Sequence, residues 1–161
     1  MREDQRQLVA ETYDRFGAEV FRYLAMVLGR RDDAENVLQE VFLRLFDVAR
    51  RDPAALEVRA YVLRVARNEA YRALFQRRGR CPTGGDGFLV VCDPRAGSEA
   101  ERVALADALA QLPEEQREVV QLKVYMNMTF DEIADFTKVS PNTAASRYRY
   151  AVEKLRRVLG E

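Results

Sequence analysis

Apolar residues at helical spacing run through almost the whole chain, and one glycine- and proline-rich segment interrupts them. Apolar side chains three and four residues apart share one face of a helix, so each run predicts an amphipathic helix with a buried face. Residues 77–97 hold five of the eight glycines and two of the five prolines, which is typical of a linker. The pattern predicts an all-α protein with two small helical domains, residues 1–78 and 98–161, joined by a Gly/Pro-containing linker at 79–97.

Three helices are predicted in the N-terminal half. Gly29 ends the first helix, and Asp52-Pro53 ends the second. Asp32 or Asp33 is expected to cap the start of the second helix. The residues expected to face inward are Val9, Tyr13, Phe16, Val20, Leu24 and Val27, then Val37, Val41, Leu45 and Val48, then Tyr61, Val62, Val65, Ala66 and Leu74.

Helix-start signals recur in the C-terminal half. Ser98 and Thr129 each stand three residues before a glutamate, and Ser140 stands directly before a proline, so each predicts a helix N-terminus. The residues expected to face inward are Val103, Ala106, Leu109 and Ala110, then Val119, Leu122 and Met126, then Ala144, Tyr148, Ala151 or Val152, Leu155 and Leu159.

The stretch Thr129–Tyr150 predicts a helix-turn-helix, in which a short helix and a longer basic helix are joined by residues 137–139. The small Ala134 lets the two helices cross closely, and Ile133 and Ala144 seal the crossing. The side chains then expected to point outward near the start of the second helix are Asn142, Ala145, Ser146 and Arg149. Of these, the Asn, Ser and Arg side chains can hydrogen-bond base edges or phosphates, and Arg147 can hold a phosphate.

Composition removes several kinds of chemistry. The chain has no histidine, so the commonest general base and most zinc sites are excluded. Its two cysteines, Cys81 and Cys92, are too few for a four-ligand metal site. We therefore predict no catalytic residue, no metal and no cofactor. We interpret the cysteines as reduced thiols and leave a redox pair open.

Sequence features also bear on location. No segment approaches the roughly 20 apolar residues that a membrane span needs. The charged N-terminal segment Met1–Asp4 leads into no apolar secretory core. We expect no membrane insertion and a cytoplasmic protein.

Charge is balanced over the whole chain but unevenly distributed. The chain has 26 basic and 26 acidic residues, yet Arg59–Arg80 holds seven arginines against one acid, Glu69. Residues 99–135 are acidic, and the sign returns to positive after Ser140. Two basic segments separated by an acidic one suggest two separate contacts with a polyanion, although solvated helix faces would give the same pattern.

Several motifs together resemble bacterial sigma factors. Leu112–Val120, Thr129–Ala134 and Ser140–Arg147 resemble their C-terminal promoter-reading domain. Asp33–Arg44 resembles their polymerase-binding helix, and Tyr61–Asn68 resembles the promoter-opening segment, which usually begins with tryptophan. Two domains with little between them and no N-terminal extension resemble the extracytoplasmic-function (ECF) subgroup.

The resemblance implies three sets of binding residues. Those implied to bind core RNA polymerase are Glu35, Asn36, Gln39 and Glu40. Those implied to handle the −10 promoter element and its melting are Arg64, Arg67, Asn68 and Arg72, with residues 50–57 in the loop that captures a flipped base. Those expected to bind the −35 element are Asn142, Thr143, Ser146, Arg147 and Arg149.

The sequence departs from the family pattern at three positions of the helix-turn-helix. Lys138 stands where glycine is usual in the turn, and Ala144 replaces a larger aliphatic residue. Ala145 stands where the family often has a basic or polar reader, so no known −35 sequence can be transferred to this chain.

The sequence predicts a transcription initiation factor that binds core RNA polymerase, directs it to a two-part promoter and helps to melt the −10 region. The resemblance also implies that an anti-sigma factor can be a partner, although no segment identifies its binding site. One alternative is an autonomous helix-turn-helix repressor with a helical dimerisation domain. Another is a helical enzyme that uses carboxylates of the second helix, but no Glu-x-x-His pair is present to build a di-iron site.

Overall fold

The computed structural model describes residues 2–78 and 97–160, and these residues form helices and no strands. The chain divides into two compact units, Met1–Asp86 and Gly87–Glu161. The α-helices are α1 (Arg2–Leu28), α2 (Arg31–Arg51), α3 (Arg59–Arg78), α4 (Glu99–Ala110), α5 (Glu114–Val120), α6 (Phe130–Thr137) and α7 (Pro141–Leu159). The predicted all-α fold class is confirmed. In this part of the chain, no helix is long and apolar enough to cross a bilayer.

The predicted linker lies almost wholly outside the described residues. Residues 79–96, which include Cys81 and Cys92, are among those that the structure does not describe. The predicted domain limits at 78, 79–97 and 98 therefore stay predictions.

Helices α1, α2 and α3 of the N-terminal unit pack against one another. Gly29 ends α1 as predicted, with a φ of 72° and its N–H donating to the carbonyl of Ala25 at 3.0 Å. A left-handed φ of this kind favours glycine because the residue has no Cβ. The fully buried side chains of this core include Val20, Leu24, Val41, Leu45, Val62 and Leu63.

Two details of the N-terminal prediction are wrong. Tyr13 was expected to face inward but is 51% exposed, while Thr12 is buried and its hydroxyl donates to the Leu8 carbonyl at 2.8 Å. The α1 stripe includes Thr12 because a buried hydroxyl can be satisfied by the preceding turn of its own helix. Asp32 and Asp33 do not cap α2, since the cap position is Arg30; both lie in the first turn, where the helix dipole favours acids.

Proline ends α2 as predicted. The Asp52 N–H donates to the Val48 carbonyl at 2.8 Å, and a 3₁₀ helix follows over Pro53–Glu57. Leu56 buries its side chain in the unit and so fixes this connection between α2 and α3.

The C-terminal unit starts with the predicted capping box. The Ser98 N–H donates to the Glu101 carboxylate at 3.0 Å, and the Glu101 N–H donates to the Ser98 hydroxyl at 3.2 Å. The predicted inward stripe of α4 is partly wrong, because Val103 is 53% exposed and Ala110 is also exposed. Its buried side chains are Ala108 and Leu109, which lie on the side of α4 that meets α7.

The core of this unit is otherwise close to the prediction. Val119, Leu122 and Met126 are buried, and a π-helical turn over Gln121–Tyr125 continues α5. On α7 the structure buries Ala151 rather than Val152, whereas Leu159 is 43% exposed and was wrongly expected to face inward.

The helix-turn-helix forms as predicted. Thr129 caps α6 by accepting from the Glu132 N–H, and Ser140 caps α7 by accepting from the Thr143 N–H at 3.1 Å. Ile133, Ala134 and Ala144 are buried at the crossing of α6 and α7. These contacts fix how α7 packs on α6, so that Ala144 faces the core and Asn142 faces solvent.

Lys138 ends α6 in the left-handed conformation, with φ 59° and ψ 44°. A side chain there costs on the order of 1 kcal/mol. We expect Lys138→Gly to raise the free energy of unfolding of the C-terminal unit by about 0.5–1 kcal/mol, because glycine removes this strain, while its greater freedom in the unfolded chain offsets part of the gain. Urea denaturation followed by circular dichroism measures the change. Lys138→Ala, which keeps a Cβ, is the control and should give no gain; an equal gain from both variants would assign the effect to the lysine side chain.

Candidate functional site

The side chains predicted to bind polymerase lie together on α2. Glu35, Asn36, Gln39 and Glu40 are all exposed, opposite the buried stripe of the helix, and we call these four the α2 outer face. The Glu35 carboxylate pairs with Arg31 at 3.2 Å, one turn earlier. The resulting surface is acidic and rich in amides, which suits contact with a basic partner.

An apolar groove between α1 and α2 borders the α2 outer face. The groove has a volume of about 1060 Å³, and Glu35 and Gln39 contribute to its lining. Its apolar lining includes Tyr13, Phe21, Leu38, Phe42, Leu43 and Phe46. Leu43 is 63% exposed, and the Tyr13 and Phe42 rings meet edge to face with centroids 5.0 Å apart. Sequence reasoning missed this groove, although Leu43 stands off the buried stripe of α2 and could have signalled it.

The predicted −10 residues lie on the outward side of α3. Arg64, Asn68 and Arg72 are four residues apart and therefore share one face, which we call the α3 outer face. Asn68 and Arg72 are exposed, whereas Arg64 is half-buried. Arg67 lies to one side, and its guanidinium stacks over the Tyr71 ring at 4.7 Å from the centroid.

A buried carboxylate ties the α3 outer face to α2. The Glu69 side chain is 8% exposed and pairs with Arg44 of α2 at 2.8 Å and with Arg72 at 3.5 Å. A shallow groove of about 360 Å³ lies here, and its lining adds Asp47 and Arg51 of α2 to these residues. Sequence reasoning missed the contribution of α2; Arg44, Asp47 and Arg51 recur at helical spacing, which was the available signal.

The residues predicted to bind the −35 element separate into two groups. Asn142, Ser146 and Arg149 share one outward stripe of α7, which we call the reading face, with Ala145 beside it. The Arg149 guanidinium stacks on the Tyr150 ring at 5.3 Å from the centroid. Thr143 lies off this stripe, and its hydroxyl hydrogen-bonds that of the cap residue Ser140 at 2.8 Å.

Arg147 also lies off the reading face. Its side chain is 24% exposed and pairs with the Glu115 carboxylate of α5 at 3.6 Å. A phosphate would have to compete with Glu115 for this guanidinium. This pairing could not be predicted from helical spacing, because Glu115 and Arg147 lie on two different helices.

Two family models match this chain, one in each helical unit. Residues 12–80 match the family model of Sigma-70 region 2, and residues 102–155 match that of Sigma-70 region 4. SigL of Mycobacterium tuberculosis, described as an ECF RNA polymerase sigma factor, is 33% identical over 165 residues, covering 96% of this chain and 90% of SigL.

This chain belongs to the ECF sigma factor family. ECF sigma factors are transcription initiation factors, and that is the function of this chain. The predicted family and function are confirmed, and the repressor alternative is not favoured.

Solved sigma factor structures share the fold. The sigma factor RpoE of Bartonella quintana, in complex with the anti-sigma factor NepR, covers 99% of this chain and 98% of its own, with a TM-score of 0.69 and 18% identity. CnrH, in complex with the cytosolic domain of CnrY, covers 99% and 96%, with a TM-score of 0.65 and 22% identity. Because both identities are below 25%, these similarities support the fold of this chain and say nothing about its partners.

Proposed function

We propose that the ECF sigma factor divides its work among three surfaces. The α2 outer face, with the α1–α2 groove beside it, binds core RNA polymerase. The α3 outer face holds the −10 element as it melts, and the reading face of α7 contacts the −35 element. The observation that carries this proposal is that each of the three surfaces is an outward helix face opposite buried side chains, with Glu40, Asn68 and Arg149 exposed on them.

Each surface has chemistry that suits its partner. Exposed carboxylates and amides on α2 complement a basic partner surface, and the apolar groove adds area that could be buried on contact. Arginines along α3 can follow the backbone of a separated strand, which melting requires because the displaced strand has to be held. Polar side chains at the start of α7 suit base edges and phosphates.

The proposal also covers chemistry, cellular location and a further partner, and the first two follow because this chain acts together with core polymerase. Nucleotide addition belongs to the polymerase, so we propose that this chain performs no covalent chemistry and needs no metal or cofactor of its own. It works in the cytoplasm, where polymerase and promoter DNA are found. Because Bartonella RpoE is seen bound to an anti-sigma factor, we include such a protein as a further partner.

Purified protein tests the proposal directly. Together with core polymerase, the chain should start transcription at defined sites on a genomic template, and neither component alone should do so. Random or absent initiation with the complete mixture would refute the proposed function.

Arg149 and Arg147 should differ in what they contribute to promoter binding. We expect Arg149→Ala to cost about 1–3 kcal/mol at one base position and to remove the sequence preference there, as loss of a base contact does. We expect Arg147→Ala to weaken binding to all sequences alike and to flatten the salt dependence, as loss of a phosphate contact does. Binding of the polymerase complex to a panel of −35 variants at several salt concentrations measures both effects.

Two further variants sharpen that comparison. Glu115→Gln removes the carboxylate that competes for Arg147, so it should strengthen binding to every promoter variant. Lys154→Ala changes an exposed cation of α7 that stands five residues beyond Arg149 and is therefore turned away from the reading face, so it serves as the control. If Arg149→Ala and Lys154→Ala have the same effect at every base position, the reading face is wrongly assigned.

A further inference from the structure

Phe75, in the last turns of α3, has an unusual environment. Its side chain is 79% exposed, the largest value for a large hydrophobic residue among the described residues. Full burial of a phenylalanine stabilises a fold appreciably, and the N-terminal unit gains little of that from this ring. A single exposed hydrophobic residue is common on protein surfaces, so its position on the helix decides whether it has a role.

Phe75 lies on the same face as the predicted −10 residues. It follows Asn68 by seven residues and Arg64 by eleven, and both intervals return a helix to nearly the same direction. Arg72 stands three residues before it. The exposed ring therefore extends the α3 outer face by about one turn beyond Arg72.

An aromatic ring among guanidinium groups is the combination that binds single-stranded nucleic acid. Arginines attract the backbone, and an exposed ring stacks on a base of any identity. The neighbouring Tyr71 ring is already covered on one side by Arg67 at 4.7 Å. Phe75 is thus the ring of this face that presents its surface to solvent.

The chemistry of phenylalanine distinguishes an unpaired base from other occupants. In a duplex both faces of each base are stacked on neighbours, and phenylalanine cannot hydrogen-bond a base edge or a phosphate. A protein-docking patch would require further exposed apolar residues nearby. Among the described residues of α3, Phe75 is the one large hydrophobic side chain that is exposed.

We propose that Phe75 is a stacking platform for one unpaired base of the opened promoter strand, next to the part of the strand that Asn68 and Arg72 hold. This inference rests on the proposed function, in which the α3 outer face holds the −10 element. It adds a contact residue for single-stranded DNA, and the arginines of the face supply the backbone attraction.

A fluorescence titration tests the stacking without polymerase. The chain contains no tryptophan, so Phe75→Trp introduces a single probe whose emission is quenched when a base stacks on it. Full-length Phe75→Trp protein is titrated at low salt with single-stranded dodecamer dA12 and with the same dA12 annealed to dT12. Quenching by the single strand that exceeds quenching by the duplex is expected. Tyr13→Trp, whose position on α1 is 51% exposed, is the matched control and should show no such difference.

A promoter assay tests the consequence. With core polymerase, Phe75→Leu should reduce open-complex formation about 5- to 150-fold, as expected for loss of one stacked base, and should leave binding to polymerase unchanged. Phe75→Tyr keeps the ring and should restore open-complex formation. Permanganate reactivity of the −10 region reports the opening.

The outcomes separate this inference from the function on which it rests. If wild type directs no initiation, the proposed function fails, and the fluorescence titration still judges the stacking. If wild type initiates normally while Phe75→Leu opens the promoter equally well, the inference is overturned and the function stands. Equal quenching of Phe75→Trp by single strand and duplex, or equal quenching of both tryptophan variants, also overturns it.

Discussion

Glu40→Lys should abolish polymerase-dependent promoter binding and strand opening without unfolding the protein. Glu40 is exposed on the α2 outer face, so a charge reversal leaves the buried stripe of α2 untouched. On a face that meets a basic partner, the new lysine places like charges together, which costs several kcal/mol of binding free energy. The effect should therefore be an almost complete loss of complex at concentrations that saturate the wild type.

A gel shift on promoter DNA and permanganate footprinting, each with and without core polymerase, measure this loss. Glu11→Lys is the matched control, because Glu11 is an exposed acid on α1 that does not line the α1–α2 groove. Circular dichroism should show the same helical content for both variants. Tight, sequence-specific duplex binding by the protein alone, indifferent to polymerase and to Glu40→Lys, would favour the repressor alternative instead.

The parts of the fold that could be predicted are those set by neighbours along the chain. Gly29 ends α1 through its own backbone freedom, and Ser98 and Ser140 cap helices that start at the next residue. Proline ends α2 because it cannot continue the helical hydrogen bonds. Such effects operate over three or four residues, so the sequence contains all the information that they need.

Apart from the cap of α2, where Arg30 rather than Asp32 or Asp33 holds the cap position, the errors concern which residues of a helix are buried. Tyr13 and Val103 fit an apolar stripe at helical spacing, yet both are more than half exposed. The packing partner decides the buried face, and a periodic pattern in one helix does not identify that partner. In α4 the alanines extend the apolar pattern around the helix, so the spacing alone permits more than one buried face.

The same distinction applies to the candidate sites. Periodicity placed Glu40, Asn68 and Arg149 on exposed faces, and the structure agrees. It could not reveal that Glu69 pairs with Arg44, or that Glu115 pairs with Arg147, since each of these contacts joins two different helices. The competition between Glu115 and a DNA phosphate for Arg147 can therefore be recognised only from the folded structure.

Ile133→Ala should unfold the C-terminal unit and spare the N-terminal one. Ile133 is fully buried where α6 crosses α7, and removing its larger side chain leaves a cavity between the two helices. Truncations of this kind cost about 2–5 kcal/mol. A helical unit of this size has little stability to lose, because small domains bury a smaller fraction of their surface. The variant should lose contact with the −35 element.

Unfolding of the C-terminal unit alone can be distinguished from unfolding of the whole chain. Each unit has its own buried core, so thermal melting followed by circular dichroism should show loss of the C-terminal transition while the N-terminal transition keeps its midpoint. Binding to core polymerase should persist through the α2 outer face, although directed initiation is lost. Ile133→Val, which should cost about 0.5–1.5 kcal/mol, gives the graded case, and Val103→Ala at an exposed position is the control. A single cooperative transition whose midpoint falls in Ile133→Ala would contradict this prediction. It would show that the two units depend on each other for stability, because damage confined to the α6–α7 crossing would then have unfolded α1, α2 and α3 as well.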